Sequence, residues 1–78
     1  MALAAEEIEK ANRGEGCLGK AHPAEPVFIL RAQDSLSADL VEKWAIHARS
    51  LGCGNDKVNE AFALADEMRR WPVRKNPD

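Results

Sequence analysis

The sequence predicts a small all-α domain built on a helical hairpin, and three observations carry that reading. In residues 36–51, Leu36, Leu40, Val41, Trp44, Ala45, Ala48 and Leu51 recur at three- and four-residue steps, which makes one wide apolar stripe on a helix. In residues 55–71 the stripe is Val58, Ala61, Phe62, Ala65 and Met68, with Leu64 and Trp71 on its flank. The tight turn Gly52-Cys-Gly-Asn55 between them folds the two helices back on each other as an αα-hairpin.

At 78 residues the chain is read as a single small domain, 1–78, because a second domain needs more length. A core this small supplies only a few kcal/mol, so self-association as a homo-oligomer, most simply a homodimer, is the expected remedy. Eleven Lys and Arg against thirteen Asp and Glu give a net charge of -2, which draws the chain to neither nucleic acid nor membrane. The longest wholly apolar run, Val27-Phe28-Ile29-Leu30, is far short of the ~20 residues of a membrane span. The start, Met1-Ala-Leu-Ala-Ala-Glu-Glu, lacks the basic region of a secretion signal, so free thiols at Cys17 and Cys53 are expected.

From the N-terminus, residues 2–13 are rich in Ala and Glu and free of Pro and Gly, which favours a helix packing through Leu3 and Ile8. Gly14, Gly16 and Gly19, then Pro23 and Pro26, make residues 14–26 a Gly/Pro-rich loop. Residues 27–33 read as a short buried segment. Pro26 near a first turn and the spacing of Phe28, Ile29 and Ala32 favour helix. The Val- and Ile-containing run also suits a strand, whose partner would be another copy of the chain. Asp34 and Ser35 are N-cap types for the helix over 36–51, with Asp39 near its start, and Gly52 caps its end. Asn55 or Asp56 opens the last helix and Pro72 closes it, with Trp71 packed over its end. The tail 72–78 has no core-forming pattern.

Several strings invite a chemical reading. Gly14-Glu-Gly-Cys-Leu-Gly-Lys20-Ala21 fits both G-x-G-x-x-G and G-x-x-x-x-G-K, patterns whose backbone N–H groups and lysine hold phosphate. Ala21 stands where Ser or Thr should hold Mg²⁺, Pro23 opposes the helix that should follow, and a helix precedes where a strand is needed. That leaves a glycine turn, or at most an anion-binding loop through Lys20. Cys17, His22, His47 and Cys53 are zinc-ligand types, but C-x₄-H and H-x₅-C spacings are not those of a structural site, so no metal and no cofactor are expected. Cys17 beside a histidine lacks an oxyanion hole and a substrate pocket, so no catalytic residue is assigned. Arg31, Gln33 and Asp34 form a polar cluster suited to bidentate recognition of a partner, although Asp34 can equally serve as a cap. Arg69, Arg70, Arg74 and Lys75 around Trp71 make only a weak nucleic-acid signal and also suit a helix C-terminus.

The runs Gly16-Cys-Leu-Gly-Lys-Ala21 and Glu25-Pro-Val-Phe-Ile-Leu-Arg-Ala-Gln-Asp34, the pair Trp44-Ala45 and the ending Trp71-Pro-Val-Arg-Lys-Asn-Pro-Asp78 resemble a group of small, largely uncharacterised proteins encoded in bacteriophages and prophages of proteobacteria. The resemblance spans about residues 14–78 and carries no catalytic or ligand assignment. It implies an accessory gene product acting in the cytoplasm of an infected bacterium. Small phage proteins of this size often act by stoichiometric binding, anti-CRISPR and other anti-defence inhibitors among them. The resulting expectation is a non-enzymatic inhibitor of a host protein, with Arg31, Gln33, Asp34, Lys20 and Cys17 as the binding residues. Two rivals stand beside it: an oligomeric sponge for a phosphate-bearing signalling nucleotide, held by Lys20, Arg31 and the glycine loop, and a structural virion component.

Overall fold

The computed structural model describes residues 2–76 and shows an all-α protein of four helices: α1 (Ala4–Asn12), α2 (Gly16–Lys20), α3 (Ser37–Ser50) and α4 (Asn55–Arg70). α3 and α4 form the expected hairpin, and α2 folds back on α1. Among the described residues the helices of the first pair do not contact those of the second.

The α3–α4 seam is made of small residues. Ala38, Ala45, Ala48, Val58, Ala65 and Met68 are the buried apolar side chains, and Val58 is the largest that is fully enclosed. Ala61 and Phe62 pack against this cluster, and Arg49 lies over the Phe62 ring at 5.1 Å from its centroid, a cation–π contact on the hairpin's rim. Arg69 ties the helices on one side, donating to Asp39 at 3.0 Å and Glu42 at 2.5 Å. Those two carboxylates raise the pKa of its guanidinium. Arg70 pairs with Glu67 within α4.

Both turns use glycine in the left-handed region. Gly52 has φ 82°, and after Ser50 the Gly52 N–H donates to Arg49 O while the Cys53 N–H donates to Ala48 O, each at 3.1 Å. This doubled closure is a Schellman motif. α1 ends the same way at Gly14, φ 71°, with Gly14 N–H to Ala11 O and Glu15 N–H to Lys10 O.

Four expectations need correction. Residues 14–26 are not a featureless loop, because α2 forms within them. A Cβ on Gly19 would lie 2.7 Å from the Gly14 carbonyl carbon, so the glycines let α2 approach the end of α1 closely enough to make a helical turn. A second turn follows, with the Glu25 N–H on His22 O and the Ala24 N–H on His22 Nδ1. Leu3 and Ile8 are exposed rather than packed, since α1 turns its Glu7–Lys10–Ala11 side to the glycines. Residues 27–33 are neither helical nor buried as a unit: residues 26–31 have no regular secondary structure, and Phe28 is 84% exposed. Trp71 is half exposed rather than a plug over α4.

The tail also does more than its composition suggests. Lys75 N–H donates to Gln33 O at 2.7 Å and Ser35 N–H to Lys75 O at 2.8 Å, an isolated parallel bridge between Asp34 and Lys75. Ser35 Oγ donates to Asn76 Oδ1, and Arg74 Nη1 donates to Met68 O at 2.6 Å. The tail is thereby laid across the entry to α3. Residues 77 and 78 lie outside the described residues.

Gly52 and Gly54 separate backbone conformation from packing, because an added Cβ meets nothing within 4 Å at either position, yet only Gly52 has positive φ. Gly52→Ala is expected to lower stability by about 1–2 kcal/mol, while Gly54→Ala changes it little. Chemical denaturation of the two variants checks the contrast.

Candidate functional site: an uncovered apolar surface

The residues expected to bind do not form one site. Cys17 and Lys20 are exposed on α2, where no hydrogen bond or ion pair joins their side chains to Arg31, Gln33 or Asp34. Gln33 and Asp34 are half-buried and serve the fold. Gln33 gives its carbonyl to the tail. Asp34 Oδ1 accepts the Leu36 N–H at 2.9 Å, and its carbonyl accepts both the Ser37 N–H and the Ser37 hydroxyl. Asp34 thus acts as a turn residue two positions ahead of the N-cap, which is Leu36 without a side-chain cap. The Arg31 side chain is exposed and makes no hydrogen bond or ion pair with another described residue. Among the described residues no three His, Cys, Asp or Glu side chains gather as metal ligands. Both cysteines are free and exposed. No helix of the described chain is long and apolar enough to cross a membrane.

What the chain does present is apolar surface, in two places. The first is the run Val27-Phe28-Ile29-Leu30. Its first three side chains are exposed, and none of its backbone groups hydrogen-bonds to another described residue. Pro26 precedes it. Behind it the chain is fixed by the Asp34 N–H on Arg31 O and by the bridge to the tail. An apolar segment with unused backbone donors and acceptors thus leads into one anchored end.

The second is the outer face of α3. The stripe read from the sequence spans about 180° of helix, at roughly 100° per residue, more than one neighbouring helix can cover. α4 takes the side bearing Ala38, Ala45 and Ala48. Leu36, Leu40, Trp44 and Leu51 are left outward, with Trp44 55% and Leu51 73% exposed. Two shallow grooves flank Trp44: one of about 390 Å³ toward Ala61 and Leu64 of α4, bordered by Ala2, and one of about 530 Å³ beside Leu40, His47 and Cys53. Large exposed apolar patches mark interaction sites on natural proteins. A signal for this face was present in the sequence: the alanines at 38, 45 and 48 are the small side of the stripe, and a seam of small residues leaves the large ones outside it.

Fold and surface together define an all-α helical-hairpin protein with an uncovered apolar surface. Family models, curated proteins and solved structures give no match to this chain.

Because Asp34 holds the turn into α3, Asp34→Ala should cost about 1 kcal/mol by leaving the Leu36 N–H without its acceptor, whereas Asp34→Asn, which keeps a side-chain oxygen, should recover most of it. Thermal melts monitored by circular dichroism test this; equal losses in both variants would contradict the assigned role.

Proposed function

We propose that the protein is a phage-type accessory protein that acts by stoichiometric binding to a host protein, inhibiting it, and that residues 27–31 make the contact. The observation that supports this most is the exposure of Val27, Phe28 and Ile29 on backbone that pairs with no other described residue. Phenylalanine side chains bury about 150–250 Å² when they find a pocket, and aromatic and Arg anchors dominate binding energy at interfaces. A segment of this kind adds to the edge of a partner's sheet: main-chain hydrogen bonds supply affinity, and alternate side chains supply specificity. The fixed end behind the segment lowers part of the ordering cost of binding. Arg31, next to the apolar run, then offers its guanidinium to a partner carboxylate. In this reading Gln33 and Asp34 position the segment and do not touch the partner.

The test compares wild-type protein, Phe28→Asp and Lys20→Ala as baits in host extract. One partner retained at near one-to-one ratio by wild type and Lys20→Ala, and lost with Phe28→Asp, is the expected result. Equal capture by all three would refute the assignment. A melting temperature raised by several degrees with a cyclic oligonucleotide, and abolished in Lys20→Ala, would favour the nucleotide sponge instead, since a ligand at 100 times its Kd adds about 2.7 kcal/mol.

A further inference from the structure

The outer face of α3 calls for an occupant, and its residue spacing identifies one. A compact folded monomer of 8.6 kDa is expected to expose about 4,700 Å² by the usual mass scaling; this chain exposes 6190 Å². The surplus is roughly 1,500 Å², against about 800 Å² that each partner contributes to an interface of standard size. The radius of gyration agrees, at 13.3 Å where about 11.5 Å is expected for this length. The surplus belongs to the whole chain, with residues 27–31 and the separate α1–α2 pair contributing to it, and it is large enough to include a dimer interface on α3.

The face has a palindromic register. Leu36 and Leu51, Leu40 and His47, and Lys43 and Trp44 are placed symmetrically about the midpoint between residues 43 and 44. Two such helices laid antiparallel across a two-fold axis at that midpoint set Leu36 of each copy against Leu51 of the other and Leu40 against His47. The Lys43 ammonium then meets the Trp44 ring, so the one lysine of α3 finds a cation–π partner rather than a like charge. The nearest acids of α3, Asp39 and Glu42, are held by Arg69 on the α4 side, and the Lys57 and Glu60 side chains of α4 border the groove beside Trp44. Self-complementary use of one patch is what a two-fold dimer requires.

We propose that a second copy of this chain covers the outer face of α3, pairing the two α3 helices antiparallel about residues 43–44 so that two hairpins make a four-helix bundle. The large side chains omitted from the alanine seam become the centre of that bundle, and the arrangement of helices is the ordinary one for such a fold. This assignment does not rest on the proposed host partner, which uses a different segment.

Sedimentation equilibrium of the full chain should give about twice the 8.6 kDa chain mass. Leu40→Arg should weaken association by on the order of a hundredfold or more, because it buries an unpaired cation in the face, against His47 of the other copy and beside Lys43. Phe28→Asp should leave the dimer intact. With Cys17→Ser and Cys53→Ser as background, a chain carrying Leu40→Cys and a chain carrying His47→Cys should form a mixed disulfide in preference to either homodimer. In Trp71→Phe, where Trp44 is the sole tryptophan, emission should shift to the red on dilution, and this reading needs no interface mutation. A wild-type monomer at high micromolar concentration, a dimer lost in Phe28→Asp but not in Leu40→Arg, or homodimeric disulfides alone would each overturn the proposal.

Discussion

The alanine seam between α3 and α4 constrains everything else in the molecule. Small side chains at 38, 45, 48, 61 and 65 seat the helices against each other, but they remove little apolar area from water, and burial contributes only about 0.8 kcal/mol per methylene. The side chains that could contribute most, Leu36, Leu40, Trp44 and Leu51, lie on the part of α3 that the seam excludes. A hairpin of this kind has a well-defined geometry and a weak core. Its exposed face is therefore a consequence of how it folds, since a wider seam would have used those residues internally.

The second constraint is the way the chain enters α3. Asp34 gathers three donors from Leu36 and Ser37, and the tail returns from the end of α4 to bond Gln33 and Ser35. These contacts join both ends of the hairpin at one place. The segment just before that place, residues 27–30, is then short, fixed behind and without a backbone hydrogen bond to another described residue. Polar residues of the region thus act on backbone geometry, and the apolar ones are left to act on other molecules.

Periodicity made much of the architecture legible. The helices over 36–51 and 55–71, the glycine that closes the first of them and the N-terminal helix all follow from local rules that operate within a few residues. Failures occurred where a long-range relation decides. Val27-Phe28-Ile29-Leu30 looks buried to any reading based on hydropathy, because composition cannot say whether a covering surface exists in the same chain. Leu3 and Ile8 misled for the same reason. α2 was hidden because its glycines read as breakers, whereas their value lies in the absence of a Cβ where α2 meets Gly14 and Ala11. Composition groups Arg31, Gln33 and Asp34 as one polar cluster, but it cannot say that Gln33 and Asp34 give their atoms to the turn and the tail while the Arg31 side chain bonds to no other described residue.

The width of the α3 stripe carries a general lesson about small helical proteins. A helix presenting about 100° of apolar surface is satisfied by one neighbouring element; one presenting about 180° needs two. In this chain α4 supplies the first, and α1 and α2 stay apart from the hairpin, so no described element supplies the second. The two exposed surfaces also differ in kind. The α3 face is helical, symmetric in its spacing and poor in free backbone groups, which suits packing against an identical helix. Residues 27–30 are irregular, with backbone donors and acceptors unused among the described residues, which suits pairing with a strand and gives a helix little to bond. Division of labour between them follows from that difference in hydrogen-bonding capacity: one surface can be completed by side chains alone, and the other requires a partner's main chain.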